Sequence, residues 1–264
     1  MRILFALPLL SAALLSNAAH AQQAASTSPS FNWSGFHAGI NAGFGTSDKE
    51  DIVTTGVLAG NIAQIAANRR PGLVTNSRDG FLGGAQIGYD WQVGKFVYGV
   101  EADLDITDLD HTTSFISTLN DRTDFKQKQT SFGTVRARAG YAVGNFLPYV
   151  TAGWAFGRYS NSVNLISNAA PNPVTFSGSQ SGLGTGWTAG AGIDYALAGT
   201  TAFGNPVSLR AEYLYYDLGG RNVNVPGVPG LGNGGYVSRF DNTGHVLRVG
   251  LNFKFGGPAA SSSY

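Results

Sequence analysis

The chain of 264 residues is nearly neutral, with 17 Lys and Arg against 16 Asp and Glu, and only 12% of its residues are charged. That balance argues against nucleic-acid binding or a polybasic membrane-surface role. The absence of cysteine removes a disulfide framework and a thiolate metal site.

Residues 1–21 carry one Arg, an apolar run from Ile3 to Leu15, and small residues around Ala19-His20-Ala21. This pattern predicts a secretory signal cleaved before Gln22. Its apolar run is shorter than the roughly 20 residues a helical span requires. Residues 22–32 are expected to be a periplasmic N-terminal segment, 33–255 a single barrel domain, and 256–264 a C-terminal tail. No later stretch is apolar enough for a helical span, so a membrane role rests on strands.

Eight segments then alternate with the period of 2 that marks a two-faced strand. In "WSGFHAGINAGFGT", Phe36, Ala38, Ile40, Ala42 and Phe44 alternate with His37, Asn41 and glycines. "GGAQIGYDWQ" sets Ala85, Ile87, Tyr89 and Trp91 against Gln86, Asp90 and glycines, and "FVYGVEADLD" sets Phe96, Tyr98, Val100, Ala102 and Leu104 against Glu101, Asp103 and Asp105. "GTVRARAGY" separates Val135, Ala137, Ala139 and Tyr141 from Arg136 and Arg138, and "YVTAGWAFG" separates Val150, Ala152, Trp154 and Phe156 from Thr151 and glycines. "GWTAGAGIDY" opposes Trp187, Ala189, Ala191, Ile193 and Tyr195 to Thr188 and Asp194. "VSLRAEYLYY" opposes Leu209, Ala211, Tyr213 and Tyr215 to Arg210 and Glu212, and "HVLRVGLNFKF" opposes Leu247, Val249, Leu251, Phe253 and Phe255 to Arg248 and Asn252.

Between them, long polar loops near 46–80, 106–130, 158–183 and 217–242 alternate with short links near "VGK", "AVGN" and "LAGTTAFGNP". Long loops at one end and tight turns at the other describe an up-and-down meander. Three features decide which face meets water. The polar face is rich in glycine, which weakens a solvated strand but leaves room inside a narrow barrel. The apolar face is aromatic at its ends: Trp33, Phe36, Trp91, Phe96, Tyr141, Tyr195, Phe253 and Phe255 at the turn end, with Phe44, Phe81, Phe156, Trp187 and Tyr215 at the loop end. Two such girdles are what membrane interfaces select. Finally, the polar face carries both signs of charge, and each Arg or Lys turned to lipid near the midplane costs about 2–4 kcal/mol. The expected fold is therefore all-β: an eight-stranded antiparallel up-and-down transmembrane β-barrel with long extracellular loops and short periplasmic turns, in a bacterial outer membrane.

"WSGFHAGINAGFG", "FGTVRARAGYA" and the closing "HVLRVGLNFKF" resemble the small alphaproteobacterial outer-membrane proteins of the porin-family or RopB-like group, within the OmpA-like eight-stranded barrels. The resemblance implies a surface protein that supports envelope integrity, sometimes acting as a porin, and in some members binding haemin. Barrels of this kind usually end on the aromatic residue read by the barrel-assembly machinery, whereas here Phe255 is followed by "GGPAASSSY".

The lumenal face supplies a candidate charge network of Glu101, Asp103, Asp105, Arg136, Arg138, Asp194, Arg210, Glu212 and Arg248. An eight-stranded barrel is just wide enough for side chains to fill, so these residues are expected to form a salt-bridged plug, with at most narrow permeation of small solutes. "DITDLDH" offers Asp108, Asp110 and His111 as a loop cation site, although it lacks the glycine and terminal Glu of a calcium loop. Haemin would need an axial His or Tyr, and His111, Tyr236 and His245 are the candidates near the surface. No nucleophile, base and orienter converge in the pattern, so no catalytic role and no cofactor are expected. The expected partners are outer-membrane lipid and lipopolysaccharide, attracted by basic loop residues such as Arg69 and Arg70, and the assembly machinery.

Overall fold

The computed structural model describes residues 31–47 and 50–255; the expected signal and the tail after Phe255 lie outside them. Eight strands close into a barrel in the order β1(Gly35–Ser47), β12(Thr243–Phe255), β9(Asn205–Asp217), β8(Val174–Ala202), β7(Phe146–Ile166), β6(Arg122–Tyr141), β5(Phe96–Ile116) and β4(Asp79–Val93). Every neighbouring pair is antiparallel, and β1 pairs with β12 from Phe36↔Phe255 to Ser47↔Gly244. Closure removes sheet edges, which in hydrocarbon would leave backbone N–H and C=O groups unpaired at several kcal/mol each.

The tight turns follow local chemistry. Gly94 and Gly144 carry φ of 62° and 59° in the β4–β5 and β6–β7 turns, a left-handed conformation that favours glycine. The third turn, β8 to β9, passes through Phe203 and Gly204, both at positive φ.

Within the membrane band the outer face is apolar and exposed, with Ile40, Val100, Leu104, Val150, Leu247 and Val249 between aromatic side chains. Phe81 is 75% exposed at the loop end, and Phe96, Trp91, Tyr141 and Phe255 are exposed at the turn end. Many rings meet across strands, as in Phe36–Phe255, Phe44–Phe81, Phe96–Tyr141 and Trp187–Tyr215. Phe253 is half-buried and packs edge-on against Phe203.

Two expectations are corrected. Trp33 does not join the turn-end girdle: it precedes β1, is 3% exposed, and packs inside the periplasmic mouth with Val97, Ala142, Leu147 and Ala196. Its backbone N–H donates to Gln92 Oε1, and Phe31 lies edge-on against its ring. Residues 31–34 thus lie at the mouth of the barrel, where the Trp33 ring packs on apolar side chains.

The four long connections are also not irregular loops. The second and third are continuations of β5–β6 and β7–β8 as tall hairpins. The first and fourth contribute the helix α1(Ala59–Ala66) and the strands β2(Glu50–Gly56), β3(Leu73–Asn76), β10(Arg221–Pro226) and β11(Gly235–Phe240), and the four strands form a sheet in the order β10-β11-β2-β3. The reason is an inversion of the two faces. Above the membrane Lys126, Lys128 and Ser160 point outward into water, while Phe125, Val163, Leu165 and Phe176 turn inward. Those inward residues join Ile52, Val223, Val225, Tyr236 and Phe240 in a buried core that seats the extracellular cap. A bulge between Gln129 and Ser131 shifts the parity of β6 where this inversion occurs.

Candidate functional site

The interior is stacked in layers. At the periplasmic mouth lies the Trp33 cluster. The middle of the lumen is polar, and above it Leu82, Phe132, Ala155, Leu214, Tyr216, Leu218 and Val246 make a second apolar layer.

Strand register builds the middle layer. Spacing by two puts Glu101, Asp103 and Asp105 on one face of β5. Glu101 then stands opposite Arg136, Asp194 opposite Arg210, and Glu212 opposite Arg248, so opposite charges are direct cross-strand neighbours. All nine predicted network residues are buried and linked. Arg136 donates to Glu101 Oε1 at 2.8 Å, Asp103 Oδ2 at 3.0 Å and Glu212 Oε1 at 2.8 Å. Arg248 bridges Asp103 at 3.1 Å, Asp105 at 3.0 Å and Glu212 at 2.7 Å. Asp194 accepts from Arg138 at 2.8 Å and from Arg210 Nε at 2.8 Å.

Several members are not in the predicted network. His37 lies between Asp90 and Glu101, with Nδ1 3.3 Å from the first and Nε2 3.0 Å from the second. Each ring nitrogen of His37 thus faces a carboxylate. Tyr149 donates to Glu212 Oε1 at 2.9 Å, and the Arg138 guanidinium sits 4.3 Å from its ring centroid. Thr134 donates to Asp103, and Thr151 donates to the Ala137 carbonyl. Parity alone marks His37, Asp90 and Tyr149 as lumenal; their pairing depends on the diameter of the ring. Lumenal glycines make the room: a Cβ on Gly192 would lie 2.5 Å from the Tyr149 hydroxyl, and one on Gly88 would lie 2.6 Å from the His37 ring.

Dense ion pairing of this kind offsets the cost of taking charges out of water only when the remaining lone pairs and N–H groups are also bonded. The demand is met most fully at Glu101, which is reached by Arg136, Arg138, Arg210 and His37, whereas Asp90 Oδ1 and Asp105 Oδ1 accept no hydrogen bond from a described residue. A cavity of about 20 Å³ remains beside Trp33, His37, Asp194 and Arg210, room for about one water molecule.

The other candidates are not assembled. Asp105 points inward to Arg248, whereas Asp108, Asp110 and His111 are exposed on β5, and no metal-holding cluster of His, Cys, Asp or Glu occurs among the described residues. Tyr236, expected near the surface as a haemin ligand, is 2% exposed in the cap core, because the fourth connection folds as a strand and turns the ring against Phe176. His245 sits on β12 with Nδ1 2.6 Å from the Tyr213 hydroxyl, on a different wall of the barrel from His111 on β5.

A family model described as outer membrane protein beta-barrel domain matches residues 9–255. The chain is 33% identical over 237 residues to the 31 kDa outer-membrane immunogenic protein of Brucella melitensis, covering 85% of each. It is 29% identical over 174 residues to a 22 kDa outer membrane protein of Rhizobium leguminosarum bv. viciae, covering 66% of this chain and 67% of that one. Among solved structures, the outer membrane protein OprG of Pseudomonas aeruginosa shares the fold with a TM-score of 0.51 at 19% identity, over 85% of this chain and 98% of its own. With a closed eight-stranded ring, an apolar exterior and a match that spans the whole barrel, the chain belongs to the outer membrane protein beta-barrel domain family and resides in the outer membrane.

Proposed function

We propose that this protein is a non-conducting, non-enzymatic structural barrel that braces the outer membrane and carries a folded cap on its outer side. The observation that carries this reading is the continuous filling of the lumen: the Trp33 cluster below, the arginine–carboxylate network in the middle, and the Leu82–Phe132–Tyr216 layer above. A solute crossing the barrel would have to displace two apolar layers and separate several buried ion pairs. Breaking even one such pair typically costs about 3–5 kcal/mol. A wide diffusion pore is incompatible with that interior, and an eight-stranded ring has no spare width.

The test is planar-bilayer conductance of the refolded protein, with folding verified by faster migration of the unheated sample on a denaturing gel. A folded protein is expected to give no channel steps. Reproducible steps from folded protein would overturn the structural reading and make the passage past Glu101, Arg136 and Arg210 the function.

A further inference from the structure

We propose that the extracellular cap holds a binding site for a hydroxylated monoanion of the hexuronate type, in the cavity beside Arg70. The cavity measures about 370 Å³ and is walled by Arg69, Arg70, Asp121, Gln64, Asn233 and Tyr236, among others. That volume lies within the range of small-molecule sites, about 300–1,000 Å³. It is formed where the first connection, the β5–β6 turn, the outer end of the β7–β8 hairpin and the fourth connection meet, and none of its lining residues belongs to the lumenal network.

Charge selects the ligand. Arg70 is only 6% exposed, yet its Nη1 is spent on neutral acceptors: the Arg122 carbonyl at 2.9 Å, the Ile166 carbonyl at 3.2 Å and the Thr123 hydroxyl at 3.3 Å. No carboxylate forms an ion pair with it among the described residues, and its Nε and Nη2 have no described acceptor. The nearby carboxylate, Asp121, is already held by Arg69 at 2.6 Å and by the Asn168 backbone N–H at 3.1 Å. Buried charges are normally paired. With Arg69 and Arg70 against Asp121, the wall carries a net single positive charge, and the planar N–H groups of Arg70 that have no described acceptor suit a carboxylate or phosphate.

A single charge favours the carboxylate, since a phosphate monoester carries about −1.5 to −2 near neutral pH and would exceed what the wall offers. The other polar groups point to hydroxyls. The Gln64 and Asn233 side chains make no hydrogen bond with a described residue and supply both donors and acceptors to the cavity. A carboxylate with several hydroxyls, as in a uronic acid, uses both features.

The experiment titrates glucuronate, glucose and inorganic phosphate separately into the full refolded protein in detergent, with calorimetric detection. Saturable glucuronate binding is expected, at least about tenfold tighter than glucose or phosphate. Arg70→Gln is expected to abolish it. Because that substitution also removes bonds to the β6 and β7 backbones, Gln64→Leu serves as the second variant and is expected to weaken glucuronate several-fold while leaving the cap resistant to protease. A parallel titration with an oligo-uronate distinguishes a free acid from the end of a polysaccharide chain, which present the same chemistry. No saturable glucuronate binding, equal binding by a cap-intact Arg70→Gln protein, or equal affinity for glucose or phosphate would each overturn the assignment. Lumen conductance has no bearing on these outcomes, so this inference and the structural reading of the barrel stand or fall separately.

Discussion

Glu101 and Arg210 form an ion pair across the full diameter of the barrel. They are 109 residues apart in sequence, and their strands, β5 and β9, lie four places from each other in either direction around the eight-stranded ring. The same carboxylate also receives Arg136 from the adjacent strand and His37 from β1. A single side chain therefore ties four sectors of the wall together.

Glu101→Gln is accordingly expected to destabilise the folded barrel by about 3–5 kcal/mol, the usual effect of removing one partner of a buried pair. Replacing both Glu101 and Arg210 by Met is expected to cost less than the single substitution, because the double change removes one charge of each sign and leaves the balance of the buried network unchanged. Urea unfolding in micelles, followed by the heat-dependent gel shift, gives both values. Additive losses would show that the two residues do not interact.

Trp33 and the lipid-facing tryptophans respond differently to the bilayer. Trp91, Trp154 and Trp187 are exposed on the outer face, whereas Trp33 is inside the mouth. In vesicles containing brominated lipid, a variant retaining only Trp33 is expected to keep its fluorescence while variants retaining one of the other three are quenched. Trp33→Ala is expected to lower stability by about 3–5 kcal/mol through the cavity it leaves. Strong quenching of Trp33 would return it to the lipid interface.

A side chain on Gly192 has no free volume, since its Cβ would meet both the Tyr149 hydroxyl and the Ala211 carbonyl. Gly192→Val is expected to destabilise by about 1–3 kcal/mol, the usual range for overpacking. The turn residue Gly94 faces open space but has positive φ, so Gly94→Asn is expected to be tolerated better. The fraction of each variant reaching the fast-migrating folded form ranks the two.

The cap has its own pH dependence. Burial pushes the Asp121 carboxyl up, but the Arg69 hydrogen bond, the Asn168 N–H and the charges of Arg70 and Arg69 outweigh it and hold the group below the ordinary carboxylate value. A value lowered by folding means stability present above the ordinary range near pH 4 and lost as pH falls through the folded value. Hydrogen exchange at the β5–β6 turn is expected to be slow and constant from about pH 5 to 7 and to show faster local opening, once corrected for intrinsic rates, at lower pH. Asp121→Asn should remove that acid transition. A transition of the same size in the variant would assign it to other carboxylates.

The membrane-spanning part of this fold is legible in the sequence because lipid imposes one rule on every strand: Ile40, Val100 and Leu247 must face out, so His37, Glu101 and Arg248 must face in. Register then follows from closure, and the ion pairs follow from register. Outside the bilayer the rule reverses. Lys126 and Ser160 face water while Phe125 and Val163 face a core supplied by distant connections, so the same strands read there as polar loops. Tyr236 was hidden for that reason, since the core that buries it is assembled from β2, β6, β7, β8, β10 and β11. The place of Trp33 is not legible in the sequence, because an indole has equal reason to sit at an interface or inside an apolar mouth, and periodicity does not extend to a residue that precedes the first strand.

The pairing of Glu101 with Arg136, Asp194 with Arg210 and Glu212 with Arg248 across neighbouring strands also penalises a strand inserted out of register. A strand displaced by one residue turns its arginine or carboxylate toward hydrocarbon. Arg248 enters on the last strand, and its partners Asp103, Asp105 and Glu212 lie on strands added earlier. Until that strand is in register Asp105 has no counter-charge among the described residues and Asp103 and Glu212 share Arg136 alone, so an ill-paired final seam carries an energetic penalty.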